Sequence, residues 1–482
     1  MSNLSDLLPS GGGQNIVEFT ASGTVASGKP VALNSNGTVS QVTGVAEGVG
    51  TATAFTTTSV YPNYINSSYD SNAGKVVFFS TNGSGYLVAT VGTVSGTSIS
   101  FGTPVVANST GSTWISSSYD SVAQKIVVGW SESGVGKAAV GTVSGTSISF
   151  GAETTFEASG VLHTNCVYDT NANRTVIAFR DSDDSNNGKA IVGTVSGTGI
   201  SFGTAVTFDT VYVQFPNQVY DANAQKIAIV YQDATAGDGW SIVGTVSGTS
   251  ISFGTAFRFT TNDIENHVGA YDSAAQKVVY SYRDNGNSSR GTTVVGTISG
   301  TSISFGTAVL FTSNAVTKVG TAFQVSAGKV AIVYQDSGDS DKGKVIAGTV
   351  SGTTISFGSN TTYNTGGMYG GNFITYDSGA AKNVIAYGSI ATPTAYQGFG
   401  IVQQFSTSNV SDFIGLADAA ISDTATGKIN VKGSINSKQS SLTIGSDYYA
   451  QGDGSVSTTS TSPAVKIGQA VTATTINMMD LT

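Results

Sequence analysis

Two short acidic segments hold the densest oxygen donors in the sequence. Arg180-Asp-Ser-Asp-Asp-Ser-Asn-Asn-Gly188 groups Asp181, Asp183, Asp184 and Asn186, and Gln335-Asp-Ser-Gly-Asp-Ser-Asp-Lys-Gly343 groups Asp336, Asp339 and Asp341. Calcium takes roughly six to eight oxygens, and clustered Asp and Asn beside Gly is how a short loop supplies them. Neither segment has EF-hand spacing or a closing bidentate Glu. A solvated acidic turn is therefore the plainer reading, and a calcium site the sharper one; no other cofactor is expected. His163 and Cys166 have the spacing of a soft-metal pair, but zinc needs further ligands nearby. A strand histidine and a small buried thiol account for both. Asp70, Asp120, Asp169, Asp221, Asp272 and Asp377 each follow a tyrosine. An Asp opening a tight turn accepts backbone N–H groups, so these read as turn residues and the tyrosines as packing residues with a polar tip.

The elements that would position these residues are strands. The chain has 482 residues, 61 of them Gly and only 7 Pro, with 11% charged and 39% hydrophobic residues. Val, Ile, Thr, Tyr and Phe recur throughout, which predicts an all-β protein. The net charge is −9 and no basic run occurs, which removes nucleic-acid binding. The single cysteine, Cys166, excludes an intrachain disulfide and fits a reducing compartment. No stretch approaches the roughly 18 apolar residues of a membrane helix, and Met1–Ser10 does not read as a secretory signal. The expectation is a protein without membrane insertion, made in a cytoplasm.

GTVSGTSISFGT or a near copy begins at Gly92, Gly141, Gly193, Gly244, Gly296 and Gly348, in steps of 49 to 52 residues. The Tyr-Asp marker recurs at Tyr69, Tyr119, Tyr168, Tyr220, Tyr271 and Tyr376, with Phe323-Gln324 filling the missing register. This makes seven units. In the fourth, strand one ends at 216–221, and strands two to four are 226–233, 240–248 and 249–259. Runs such as KVVFF at 75–79 and KIVV at 125–128 predict second strands buried on both faces. Four antiparallel strands, repeated seven times, predict a seven-bladed β-propeller, with a linear solenoid as the alternative. The seventh unit lacks its own GTSISFGT. EGVGTATAFTT at 47–57 resembles FGTAFRFTT at 253–261, so it should supply the missing outer strand and close the ring.

The propeller then spans 47–408. Residues 1–46 and 409–482 are strand-like, and neither has enough apolar residues for its own core. They are expected to join into one small discontinuous β-domain with the propeller inserted in it. The stretches gkPVALNSNGTVSQVTG, FIGLADAAISDTATGKINVKG, LTIGSDYYAQGDGSVST and VKIGQAVTATTINM resemble small β-domains of tailed-bacteriophage virion proteins. The GTVSGTSISFGT units resemble those of marine phage, especially cyanophage, structural and fibre-like proteins. The resemblance covers nearly the whole chain and brings no catalytic residues. It implies a virion protein assembled in the host cytoplasm, with other capsid or tail proteins as partners and homo-oligomerisation compatible with it.

Within that reading the propeller is a tail-fibre-like or adhesin-like reader of a host-surface glycan or receptor. The alternative is capsid decoration or a head fibre. A bacterial surface adhesin is disfavoured by the missing signal. A carbohydrate-active enzyme is disfavoured because Ser-x-Asp-x-Gly-x-Thr-Trp boxes are absent and arginines are few, at Arg174, Arg180, Arg258, Arg283 and Arg290. No enzyme is expected. In an up-and-down blade the two-to-three loops and inter-blade segments share one face, and there the units diverge. That face brings Tyr61, Tyr64, Trp114, His163, Tyr212, Phe215, Trp240, His267 and Tyr369, the candidate ligand-binding residues.

Overall fold

The computed structural model describes residues 15–44, 47–56, 60–392, 395–460 and 464–478. The protein is all-β, and the repeat forms a propeller. Each repeat runs through an inner strand, two central strands and an outer strand, antiparallel throughout. Val213–Asp221, Lys226–Asp233, Gly239–Ser247 and Ser250–Phe253 are one such series. Among the described residues these sheets, counted in chain order, are seven. Two of them are continuous because the strand Val309–Gln324 pairs first with Arg290–Ser299 and then with Lys329–Asp336. The second strands are apolar on both faces because sheets stack on either side of them. Val76, Val77, Phe78 and Phe79 have no exposed surface, and neither do Ile227, Ala228, Ile229 and Val230.

The outer strand differs from the single run expected at 249–259. It breaks into Ser250–Phe253 and Phe257–Thr260, both paired with Gly239–Ser247. The break falls at Gly254, where a Cβ would meet the carbonyl oxygen of Thr301, in the next unit's Gly-Thr turn, at 2.0 Å. The same collision would occur at Gly102 with Thr146, at Gly151 with Thr198 and at Gly203 with Thr249. The repeated FGT sequence thus allows one sheet's turn to lie on its neighbour's backbone. The marker aspartates act as turn residues: Asp221 Oδ1 accepts the N–H groups of Asn223 and Ala224 at 2.9 and 2.8 Å. The marker tyrosines link units, as Tyr271 Oη accepts the Asn223 N–H at 3.2 Å and Tyr69 Oη the Gly379 N–H at 3.0 Å.

The last sheet, Met368–Asp377, Lys382–Thr392 and Ala395–Gln404, gains its outer edge from Gly48–Val49 and Thr53–Ala54. Gly50 there meets Thr97 as Gly254 meets Thr301. Phe55 lies over Gly398, where a Cβ would come within 2.4 Å of its ring, just as Phe208 lies over Gly188 and Phe311 over Gly291. Phe55 also packs on Phe78 and Phe101, with ring centroids 5.0 and 5.9 Å away. The N-terminal segment therefore joins the last sheet to the first by the contacts that join the others.

The chain divides into two compact units, 49–404 and 1–48 with 405–482, so the boundaries expected at 46 and 408 shift to 48 and 404. In the smaller unit the two terminal segments share a sheet: Ile16–Thr20 pairs with Thr426–Val431, and Pro30–Leu33 with Phe413–Ala417. Val25, Val31 and Val39 bury themselves against Ile414, Ile421, Ile429 and Val431, which is the core neither segment could form alone. Among the described residues no helix is long and apolar enough to cross a membrane.

Phe55 is 2% exposed. Phe55→Ala is expected to destabilise the propeller by about 3–5 kcal/mol, the usual cost of emptying a buried phenylalanine site. Chemical denaturation followed by tryptophan fluorescence would measure it; a loss below about 1 kcal/mol would contradict closure by this segment.

Candidate functional site

Every inner strand is interrupted at the same place. Its register with the second strand slips between Tyr61 and Asn66, Thr113 and Ser116, Leu162 and Asn165, Gln214 and Asn217, Glu265 and Val268, Thr317 and Gly320, and Met368 and Asn372. At five of these bulges a non-glycine residue takes a left-handed conformation: Trp114, His163, Phe215, Asn266 and Lys318, with φ between 49° and 54°. Such a residue carries strain and leaves its N–H and C=O outside the ladder. Buried backbone groups need partners, and here adjacent units provide them. The Phe215 N–H donates to His163 Nδ1 at 3.0 Å, and His267 Nε2 donates to the Phe215 carbonyl at 2.8 Å. The Lys318 N–H donates to Asn266 Oδ1 at 3.2 Å, and Asn372 Nδ2 donates to the Lys318 carbonyl at 3.0 Å. Thr164 Oγ1 donates likewise to the Trp114 carbonyl.

These bulges bring their side chains to one cavity of about 530 Å³. One side is aromatic. Tyr64 meets Trp114 edge-on at 5.3 Å, Trp114 meets His163 at 4.1 Å, and His163 stacks on Phe215 at 4.1 Å. Phe215 is 38% exposed and Trp114 partly so, whereas His163 and His267 are buried. The histidines are therefore spacers and clamps, and Trp114 and Phe215 are the rings presented. Asn266, Lys318 and Asn372 complete the lining with polar groups, and Glu265 adds a carboxylate that Arg283 holds at 2.8 Å. Burial keeps His163 neutral, its pKa down to about 3 with Arg180 and His267 adding to the effect, and lowers His267 to about 4. Burial also lowers the Lys318 ammonium.

Of the expected site residues, the structure brings together Tyr64, Trp114, His163, Phe215 and His267. Tyr212 stands apart with Arg180 over its ring at 5.2 Å, Trp240 with Arg258 at 5.8 Å, and Tyr369 stacks on Tyr396 at 4.2 Å. Trp240 lies at the start of the strand Gly239–Ser247, where the reading of strand three from 240 also puts it, and does not reach the cavity. The side chain of Tyr61 lies outside the described residues. Asn266, Lys318 and Asn372 are not among the expected residues, because no ring marks them in the sequence. The signal was available: Phe215, Asn266 and Lys318 follow His163 at one-repeat steps.

The calcium reading is corrected. In the first acidic segment Lys189 Nζ lies 2.7 Å from Asp181 and 2.8 Å from Asp184. In the second, Lys344 Nζ lies 2.9 Å from Asp336 and 2.7 Å from Asp339. In each segment an ammonium thus sits between two of the carboxylates, while Asp183 and Asp341 are exposed. Among the described residues no group of His, Cys, Asp and Glu could hold a metal. Cys166 is buried, accepts from Ser116 Oγ at 3.1 Å, and has its thiol pushed up to about 12 by burial. A second cavity of about 580 Å³, in the smaller unit, is lined by serines and threonines together with Lys29, Lys438 and Gln439, with Tyr448 as its single ring.

No protein-family description matches the chain, and no curated protein does. Solved structures are similar to it. The Cps50 (Swd1) β-propeller domain of Myceliophteria thermophila shares 8% identity at a TM-score of 0.47, covering 73% of this chain and 99% of that one. The NanB sialidase of Streptococcus pneumoniae shares 10% at 0.44, covering 77% and 71%, and AofleA of Arthrobotrys oligospora 9% at 0.42, covering 70% and 96%. The expectation that the chain is not an enzyme does not stand, because a sialidase is among these similar structures. At this identity the similarity assigns no activity and no catalytic residue to the chain.

Two measurements follow from the buried charges. Below about pH 6.5 an unfolded histidine takes up a proton, whereas folded His267 does so only near about 4. Stability is therefore lost as pH falls through that window, by about 3 kcal/mol at roughly 1.4 kcal/mol per unit. His267→Gln keeps a donor for Phe215 and should lessen the slope of the Tm-against-pH curve between pH 6.5 and 4, the remainder coming from His163; an unchanged slope would count against it. Separately, Lys344→Ala leaves the fully buried Asp336 with only neutral donors, Asn314 Nδ2 and the Gly338 N–H. It should cost about 3–5 kcal/mol, and calcium should leave the wild-type Tm where it is.

Proposed function

We propose that this chain is a receptor-binding component of a tailed-phage particle and that the cavity at the inner-strand bulges binds a host-surface glycan. The observation that carries the reading is the pairing of presented rings, Trp114 and Phe215, with the polar groups of Asn266, Lys318 and Asn372 around one cavity. A sugar offers an apolar C–H face to stack on an aromatic ring and hydroxyls for the polar groups. The rings are held rigidly, since Phe215 is clamped through both its backbone groups, and pre-organisation lowers the entropic cost of binding. The phage-domain resemblance of residues 1–46 and 409–482 supports assigning them attachment to the particle, with head decoration as the alternative placement.

The double variant Trp114→Ala/Phe215→Ala should lose binding to an array of bacterial surface glycans by at least about tenfold, equal to about 1.4 kcal/mol. Its far-ultraviolet circular dichroism and Tm should stay close to wild type. Undiminished binding by a folded double variant would refute the site. A chain restricted to 47–408 should fail to enter particles, and its normal incorporation would move the attachment to the propeller.

A further inference from the structure

We infer that the glycan bound in this cavity is acidic, stacking its ring face on Trp114 and Phe215 and placing its carboxylate on Lys318. This rests on the glycan reading above and adds the ligand's charge. The backbone of Lys318 is fixed on both sides, by Asn266 and by Asn372, at a left-handed φ of 54°. Lys318 is half-buried and lines the cavity, and its ammonium has no carboxylate within ion-pair distance among the described residues. Lys75, Lys125, Lys226 and Lys277 are also partly buried without an ion pair among the described residues, but they open second strands beside the turns and do not line this cavity, whereas lysines set among carboxylates are paired. Lys137 meets Glu132 and Glu153, Lys189 meets Asp181 and Asp184, and Lys344 meets Asp336 and Asp339.

A shortage of acids is not the reason, since the chain has 30 against 21 basic residues. The one carboxylate among the lining residues, Glu265, is held by Arg283. A desolvated cation without a counter-ion is unfavourable, and an arriving carboxylate would relieve it through charge-assisted hydrogen bonds. Arg180, 9% exposed and lying over Tyr212 with no carboxylate partner among the described residues, adds positive potential near His163. The remaining polar lining is rich in donors. Asn165, Asn217 and Asn266 each commit Oδ1 to a backbone N–H of the next unit. That assignment leaves each Nδ2 group as a donor without a protein acceptor, suited to carboxylate and hydroxyl oxygens.

The test compares acidic sugars with forms in which only the charge is removed. Tetragalacturonate, a hyaluronan tetrasaccharide and sialyllactose are each titrated calorimetrically against their methyl esters. The probes go to the full-length wild type, Lys318→Gln and Trp114→Ala, each checked for an unchanged Tm. At least one acid should bind wild type about tenfold or more tighter than its ester, a difference of about 1.4 kcal/mol. Lys318→Gln should bind acid and ester alike, at the affinity of the ester, and Trp114→Ala should lose both. If wild type binds acids and esters equally, the acidic inference falls while the glycan reading stands. If the preference for acid persists in Lys318→Gln, the carboxylate is held elsewhere and the inference falls. If neither acids nor esters bind, the glycan reading fails and takes the inference with it.

Discussion

Backbone polarity at the inner-strand bulges governs how this propeller is built. A bulge withdraws an N–H and a C=O from the ladder, and in a buried place each must find a partner or cost about 1–3 kcal/mol. The partners come from the side chains of adjacent units: His163 and His267 for Phe215, Asn266 and Asn372 for Lys318. One set of hydrogen bonds therefore locks adjacent sheets together and sets the direction of each bulge residue. The rings and the ammonium in the cavity are held as a consequence of how the ring of sheets is stitched.

The same economy of polar groups separates support from display. His163 and His267, the chain's two histidines, are buried, neutral and committed to Phe215. The marker aspartates of the repeat are committed to turns, and Asp181, Asp184, Asp336 and Asp339 of the two acidic segments to Lys189 and Lys344. The cavity gathers groups without such a commitment: the exposed faces of Trp114 and Phe215, the ammonium of Lys318 and the amide nitrogens of three asparagines. The units are nearly identical in their outer strands and Gly-Thr turns, where sheet must lie on sheet. They differ at the bulge, where the side chain meets solvent and any ligand.

Closure by Gly48–Val49 and Thr53–Ala54 places the start of the propeller in its last sheet. Phe55 repeats the role of Phe208 and Phe311, and Gly50 that of Gly254, so the closing contact needs no special chemistry. An open ring would leave the edge of Ala395–Gln404 unpaired and Phe78 and Phe101 uncovered on one side.

Much of this was legible in the residues themselves. β-favouring residue types, a recurring turn and apolar second strands are local consequences of side-chain type, so strands, sheets and the number of repeats could be read directly. The closing strand was legible because its sequence resembles the outer strands it replaces. The turn role of Asp221 and its counterparts was legible because an Asp reaches its own turn. The sites were less so. Whether Asp181 and Asp336 face a cation or a lysine depends on strands that run beside each other, and Lys189 and Lys344 are brought to them by cross-strand pairing. Tyr212 and Trp240 look like Trp114 in sequence, yet only Trp114 sits on a bulge that turns it into the cavity. Asn266 and Lys318 are ordinary polar residues until the ring closes and puts them opposite the aromatic wall. The sequence by itself determined the strands and their repeat, because those follow from neighbours along the chain. Tertiary structure decided which side chains face one another, because that depends on residues about fifty positions apart meeting across adjacent sheets.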